Sequence, residues 1–126
     1  MFDECWSHHV IEHFYPNQVP NILREIYRVL KPSGKVEMVL PDFLRCCEYV
    51  VKFHEQAVEW DLQFVVGHLL GRSEVPYMRH EWLWVGQDLI NELEKVDFID
   101  TGIERLRPDV NAEQQYYNMK VWGFKQ

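Results

Sequence analysis

Between Asn17 and Pro41 the hydrophobic pattern switches from a helical period to a strand, and that switch constrains the fold more than any other part of the 126 residues. Val19, Ile22, Leu23, Ile26, Val29 and Leu30 recur at helical spacing, which gives one apolar face. Asn17 is a good N-cap, and Pro20 falls in the first turn, where its missing N–H costs nothing. Lys31-Pro32-Ser33-Gly34 then ends the helix: a cation sits near its C-terminus, Pro32 blocks continuation, and Gly34 is expected at positive φ. Val36-Glu37-Met38-Val39-Leu40 follows at once. It is mostly apolar, which places it in the middle of a sheet, closed by Pro41. A helix that hands over to a buried strand is the building unit of a parallel α/β sheet.

Phe2 to Ser7 reads as a strand ahead of this unit, and His8 to Phe14 as a loop with a short helical turn stopped by Pro16. Asp42 is a second N-cap candidate. It opens a long helical stretch with Leu44, Cys47, Val51, Val58 and Leu62 as its apolar face, broken near Gly67 to Gly71. Residues 72–86 are irregular and aromatic, and Gln87 to Val96 is a helix with Leu89, Ile90 and Leu93 on one face. Phe98 to Leu106 alternates as a strand and Arg107 to Gln114 is a polar loop. Tyr116 to Phe124 is a last strand with Tyr117, Met119, Val121 and Gly123 on one side. The two final strands should form an antiparallel hairpin. With no repeat or linker, residues 1–126 form a single domain.

Composition excludes several classes. A hydrophobic fraction of 47% and an aromatic fraction of 14% fit an ordered globular chain. A net charge of −7 argues against autonomous binding to nucleic acid, which needs a basic face. No apolar run reaches the length of a membrane span, and Asp3 and Glu4 do not suit a signal peptide. Three cysteines, two of them the adjacent Cys46 and Cys47, make no disulfide framework, and reduced thiols in the cytoplasm are expected.

Phe2-Asp3 is followed, after eight intervening residues, by Glu12-His13, then by the helix and by Arg28-Val29-Leu30-Lys31-Pro32-Ser33-Gly34. This order resembles the middle of a class I S-adenosylmethionine (SAM) dependent methyltransferase of the type 11 kind, where FDxxxxxxxxEH precedes a helix and RVLKPGG. Ser33 stands in for the first glycine of the last motif, and Asp97 for the glycine of a later Gly-Phe pair. The resemblance implies an α/β fold: a truncated Rossmann-like half-domain of about four strands with flanking helices. The first two strands would be parallel and the last two a hairpin that inserts one antiparallel strand.

It also implies that the chain begins after the cofactor-binding half. In the family a glycine-rich turn and an acidic residue hold SAM, whereas the six glycines here (34, 67, 71, 86, 102, 123) form no GxGxG. SAM is therefore expected only if that half is supplied by another chain, and the isolated monomer is expected to be inactive. By resemblance, Ser7, His8 and His9 face the cofactor, and Pro41-Asp42-Phe43 holds the equivalent place on the next strand. The alternative is a non-catalytic binding or regulatory module derived from a methyltransferase.

His9-Val10-Ile11-Glu12-His13 fits HxxEH, and helical spacing would set His9, Glu12 and His13 on one face. The same pattern occurs in metal-dependent hydrolases of the inverted zinc protease kind, which need a longer helix than Pro16 allows and a third ligand. Methyltransferases related to RNA and quinone O-methylation resemble the chain here too, with ExxEH binding a divalent ion near the acceptor hydroxyl. On that resemblance His9, Glu12, His13 and His80 form a metal set, and His9 and His80 are the catalytic candidates. Tyr77, His80, Trp82 and Trp84 are candidates for a lid, and Cys46-Cys47 is structural.

The strand Phe2–Ser7 would have one unpaired edge carrying Phe2 and Trp6. An apolar edge is a template for association, so a homodimer or larger oligomer through this edge is expected.

Overall fold

The computed structural model describes residues 1–53, 65–67, 69–71, 75–106 and 118–126. Val58, Leu62, the loop 107–114, Tyr116 and Tyr117 lie outside the described residues. Four strands make one sheet: β1 (Phe2–His8), β2 (Leu30–Pro41), β3 (Phe98–Arg105) and β4 (Asn118–Lys125), in the order β1-β2-β4-β3. β1 runs parallel to β2, with Cys5 opposite Val36 and Ser7 opposite Met38. β4 is antiparallel to both β2 and β3 and lies between them. The parallel pair and the inserted antiparallel strand are those expected from the sequence.

Alternation along β2 and β4 divides the sheet into two faces. Val36, Met38 and Leu40 of β2, with Met119 and Val121 of β4, are buried on one face. Against them pack Val19 and Leu23 of helix α1 (Val19–Val29) and Leu89 and Leu93 of helix α3 (Gly86–Lys95). Tyr27 closes this core edge-on to Phe98, with ring centroids 5.0 Å apart. The opposite face is mixed. Lys35 lies over the Trp122 and Phe124 rings and pairs with Glu37. Trp6 at the edge is 73% exposed.

Several local expectations are corrected. The residue before α1 is Gln18, not Asn17, because Pro16–Gln18 forms a 3-10 turn in which Gln18 Oε1 accepts from the Tyr15 N–H (2.9 Å). α1 ends at Val29 and β2 begins at once at Leu30, so Lys31-Pro32-Ser33-Gly34 belongs to the strand rather than to a helix stop. Ser33, not Gly34, takes positive φ (66°). Gly34 is needed for close approach instead, since a Cβ there would stand 2.8 Å from the Lys31 carbonyl and 3.1 Å from that of Asp3.

Helix α2 (Phe43–Phe53) starts as expected on Asp42, whose Oδ1 accepts from the Arg45 N–H (3.2 Å). Among its described side chains the buried one is Cys46, whereas Val51 is 75% exposed and Leu44 is exposed as well. The helix docks by a face one residue round from the one its largest apolar residues suggested. Burial, with Asp42 and Cys47 beside it, pushes the Cys46 thiol up to about 12, which fits the structural role expected of this pair.

Candidate functional site

The site forms at the carboxyl ends of β1 and β2, where the parallel pair opens into loops. β1 ends at His8, and His9 takes a left-handed conformation (φ 54°) while its N–H still donates to the Val39 carbonyl (2.8 Å). The chain therefore leaves the sheet abruptly and enters a single 3-10 turn, Ile11–His13. His9, Glu12 and His13 do not share a helical face, because His9 lies outside that turn. They come together by another route. Ile11 is buried in the core and pins the turn, which sets Glu12 inward.

Glu12 organises the loops around it. Its carbonyl accepts from the N–H groups of Glu81 (2.8 Å) and Trp82 (3.4 Å), tying the segment after His80 to the turn. The residue is 1% exposed, and Oε1 accepts from His9 Nδ1 at 3.2 Å. Oε2 is buried with no hydrogen-bond partner among the described residues. His13 Nε2 and His80 Nε2 stand 4.0 and 3.9 Å from Oε1.

The other nitrogen of each ring is committed. His13 Nδ1 donates to the Arg79 carbonyl (2.9 Å) and His80 Nδ1 to the Leu69 carbonyl (3.0 Å). With Nδ1 bearing the proton, a neutral ring carries its lone pair on Nε2, the atom that faces Glu12. Burial holds the His80 ring below the usual histidine range, with His13 and His9 adding to this and Glu12 and the Leu69 carbonyl opposing it. The His13 and His80 rings meet edge to face, 4.8 Å between centroids.

His80 reaches the cluster because the chain pinches there. Gly71 bridges to Arg79 as an isolated antiparallel pair and has φ 69°. A Cβ on Gly71 would collide with the Met78 carbonyl and the His80 ring, so only glycine lets the two segments close. A cavity of about 240 Å³ opens beside the cluster, lined by His9, His13, Pro41, Gly71, Met78 and His80.

All four residues of the expected metal set are thus neighbours, but not equally. One ligand atom from each of Glu12, His13 and His80 lies within 4.8 Å of the others, and His9 stands behind Glu12. Asn118 at the start of β4, unforeseen from sequence, approaches His9 Nε2 from its amide (3.4 Å) and is itself buried. A lone asparagine at a strand start carries no signal that would have marked it. Ser7 and His8 line a separate cavity of about 300 Å³ with Trp6, Glu37 and Lys120. Asp42 turns to Arg105, with Oδ2 3.2 Å from Nε. The aromatic lid is corrected: Trp84 is buried in the core, whereas Tyr77 is 82% exposed and Trp82 is exposed.

Residues 1–38 match the family model of a methyltransferase domain. No curated protein matches the chain. Among solved structures, a SAM-dependent methyltransferase from Archaeoglobus fulgidus aligns with a TM-score of 0.61 at 16% identity, covering 98% of this chain and 59% of that one. Human N-acetylserotonin methyltransferase in complex with SAM aligns at 0.57 and 13%, covering 98% and 29%. Haemonchus contortus phosphoethanolamine N-methyltransferase 2 with SAM aligns at 0.55 and 17%, covering 98% and 33%. The chain therefore spans between 29% and 59% of the length of these structures, and what it shares with them is the fold.

Proposed function

We propose, for a chain with the fold of part of a class I methyltransferase domain, that it forms the acceptor-facing portion of a SAM-dependent methyltransferase. The observation that carries this reading is positional. The Glu12 cluster and its cavity sit at the carboxyl ends of β1 and β2, and His9, Glu12 and His13, though not His80, fall inside the stretch that matches a methyltransferase domain. Ligands of open α/β sheets bind outside those strand ends.

SAM, when bound, supplies an electrophilic methyl group, and the acceptor gives up a proton as its oxygen or nitrogen takes that methyl. The Glu12 carboxylate and the Nε2 lone pairs of His13 and His80 are placed to receive that proton or to stabilise the heteroatom that loses it. Fit to the cofactor is partial. Ser7, His8 and His9 would border its methionyl end, but the six glycines form no glycine-rich turn able to cradle the rest. SAM binding therefore depends on a second portion brought to the edge of β1 that no described strand covers, and the isolated chain is inactive. The unpaired thiols of Cys5, Cys46 and Cys47 suit a cytoplasmic setting.

The same edge supports a homodimer when that portion is absent, because exposed Phe2 (62%) and Trp6 lie along it. A two-fold axis normal to the sheet must pass through one residue, since opposed residues share a face. Centring on Asp3 or Glu4 sets like carboxylates against each other. Centring on Cys5 pairs Glu4 with Trp6 and Asp3 with Ser7, and is the register we propose.

Calorimetric titration of SAM tests the cofactor reading, on the chain alone and on the chain with a co-purified polypeptide. Binding only in the complex is the expected result. Binding to the isolated chain overturns the need for a second portion, and acceptor binding without SAM in either state favours the non-catalytic module.

A further inference from the structure

The cavity beside Glu12 is polar at its inner end and apolar on the segments that wall it. Its polar side chains are the three histidines, which converge on the buried Glu12, with His80 the most enclosed of them. The other lining residues, Pro41, Gly67, Gly71 and Met78, offer no polar side chain. Outward, apolar groups gather. Among the described residues fourteen large apolar side chains are exposed, and five of them, Val10, Val66, Leu70, Tyr77 and Met78, line the cavity or directly adjoin a residue that does. Tyr77 and Met78 are presented by the 3-10 turn Pro76–Met78. The Gly71–Arg79 bridge and the His80 N–H, which donates to the Leu70 carbonyl (3.0 Å), hold that turn against the segment carrying Leu70.

Apolar side chains gathered at one opening mark a place that a ligand or partner covers. A protein partner is met by an apolar centre inside a polar rim. Here the order is reversed, with the polar groups at the centre, and that suits an amphiphile entering head first. The reversal holds for either protonation state of the rings, since imidazole and imidazolium both form hydrogen bonds. We propose that the cavity takes the polar head of an amphiphilic acceptor, a hydroxyl- or amine-bearing group on an apolar body, and that the body lies along Leu70, Tyr77 and Met78. At about 240 Å³ the cavity is smaller than the roughly 300–1,000 Å³ that encloses a drug-sized ligand, so it holds the head and leaves the body outside. The inference rests on the acceptor-facing reading and names its class of acceptor. Amphiphile binding without SAM decides this inference and SAM uptake by the complex decides that reading, so either can fail alone.

The test is calorimetric titration of the full chain with phenol, para-butylphenol and para-hexylphenol. One ligand per chain is expected, with Kd falling by up to about fourfold for each methylene that the apolar segments cover. A double variant, Leu70→Ser with Tyr77→Ser, changes two exposed positions and should flatten this dependence while leaving phenol binding as it was. His13→Leu should weaken all three ligands alike, by about fivefold. Circular dichroism identifies any variant that fails to fold, and the double variant then decides. An affinity independent of chain length, a dependence unchanged in the double variant, or undiminished binding by folded His13→Leu overturns the proposal. So does a dependence lost in Trp6→Ser, which assigns the ligand to the β1 edge. Binding to phosphatidylcholine vesicles without saturable binding of the phenols overturns it as well.

Discussion

Replacing Glu12 by glutamine should stabilise the metal-free chain and, by the same change, remove the response to zinc that the expected metal set implies. The carboxylate is buried, one oxygen has no hydrogen-bond partner among the described residues, and two histidine nitrogens face the other. Glutamine keeps the shape and still accepts from His9 through its oxygen. Its NH2 group then takes the place of Oε2. The gain is about 1 kcal/mol for removing a poorly paired buried charge. At roughly 3 °C per kcal/mol for a domain of this size, the metal-free variant should melt about 3 °C higher than the wild type. Zinc at a hundred times its Kd adds about 2.7 kcal/mol to a chain that binds it, hence about 8 °C to the wild type and almost nothing to the variant. Differential scanning fluorimetry with chelator and with zinc reads both effects, and the order of melting temperatures inverts between the two. A variant less stable than wild type in chelator would refute the claim that Glu12 is under-compensated. An undiminished zinc shift in the variant would refute its role as a ligand.

Burial holds His80 below the usual histidine range, so between its folded and unfolded values the unfolded chain binds more protons. Stability in chelator should therefore fall as pH drops from about 7 towards 5, and His80→Gln should flatten that slope in denaturant melts. Gly71→Ala should displace His80, because φ 69° and the contact with its ring both exclude a Cβ. It should lower melting temperature by the equivalent of about 1–3 kcal/mol and weaken zinc binding, whereas Gly67→Ala, with open space at its Cβ, should leave zinc binding as it is. Mild oxidation should link the homodimer through Cys5, giving a dimer band on non-reducing gels that Cys5→Ser removes. A chain that sediments as a monomer at micromolar concentration would end the dimer proposal.

The order of elements was legible in the sequence because local period and punctuation decide it. The helical spacing from Val19 to Leu30, the apolar run to Leu40 and the alternation that begins at Phe98 each speak for their own segment. The neighbourhood of Glu12 and His13 followed from their adjacency, and His80 was named as a partner through resemblance. What local pattern misjudged were positions settled by contacts from elsewhere. Strand pairing with β1 drew Leu30 to Gly34 into β2 and moved positive φ to Ser33. Docking buried Cys46 and left Val51 in solvent.

The sequence by itself determined that this chain makes an α/β sheet with one antiparallel strand inserted, since periodicity and motif order depend only on neighbours along the chain. Only the tertiary structure decided how the site is divided. It placed His9 behind Glu12 and brought His80 in across the Gly71 pinch. It also turned both Nε2 atoms inward by giving each Nδ1 a distant carbonyl. Those contacts range from three residues apart, between His9 and Glu12, to 66 apart, between His13 and Arg79, and side-chain direction in them is set by packing and hydrogen bonding in three dimensions rather than by spacing.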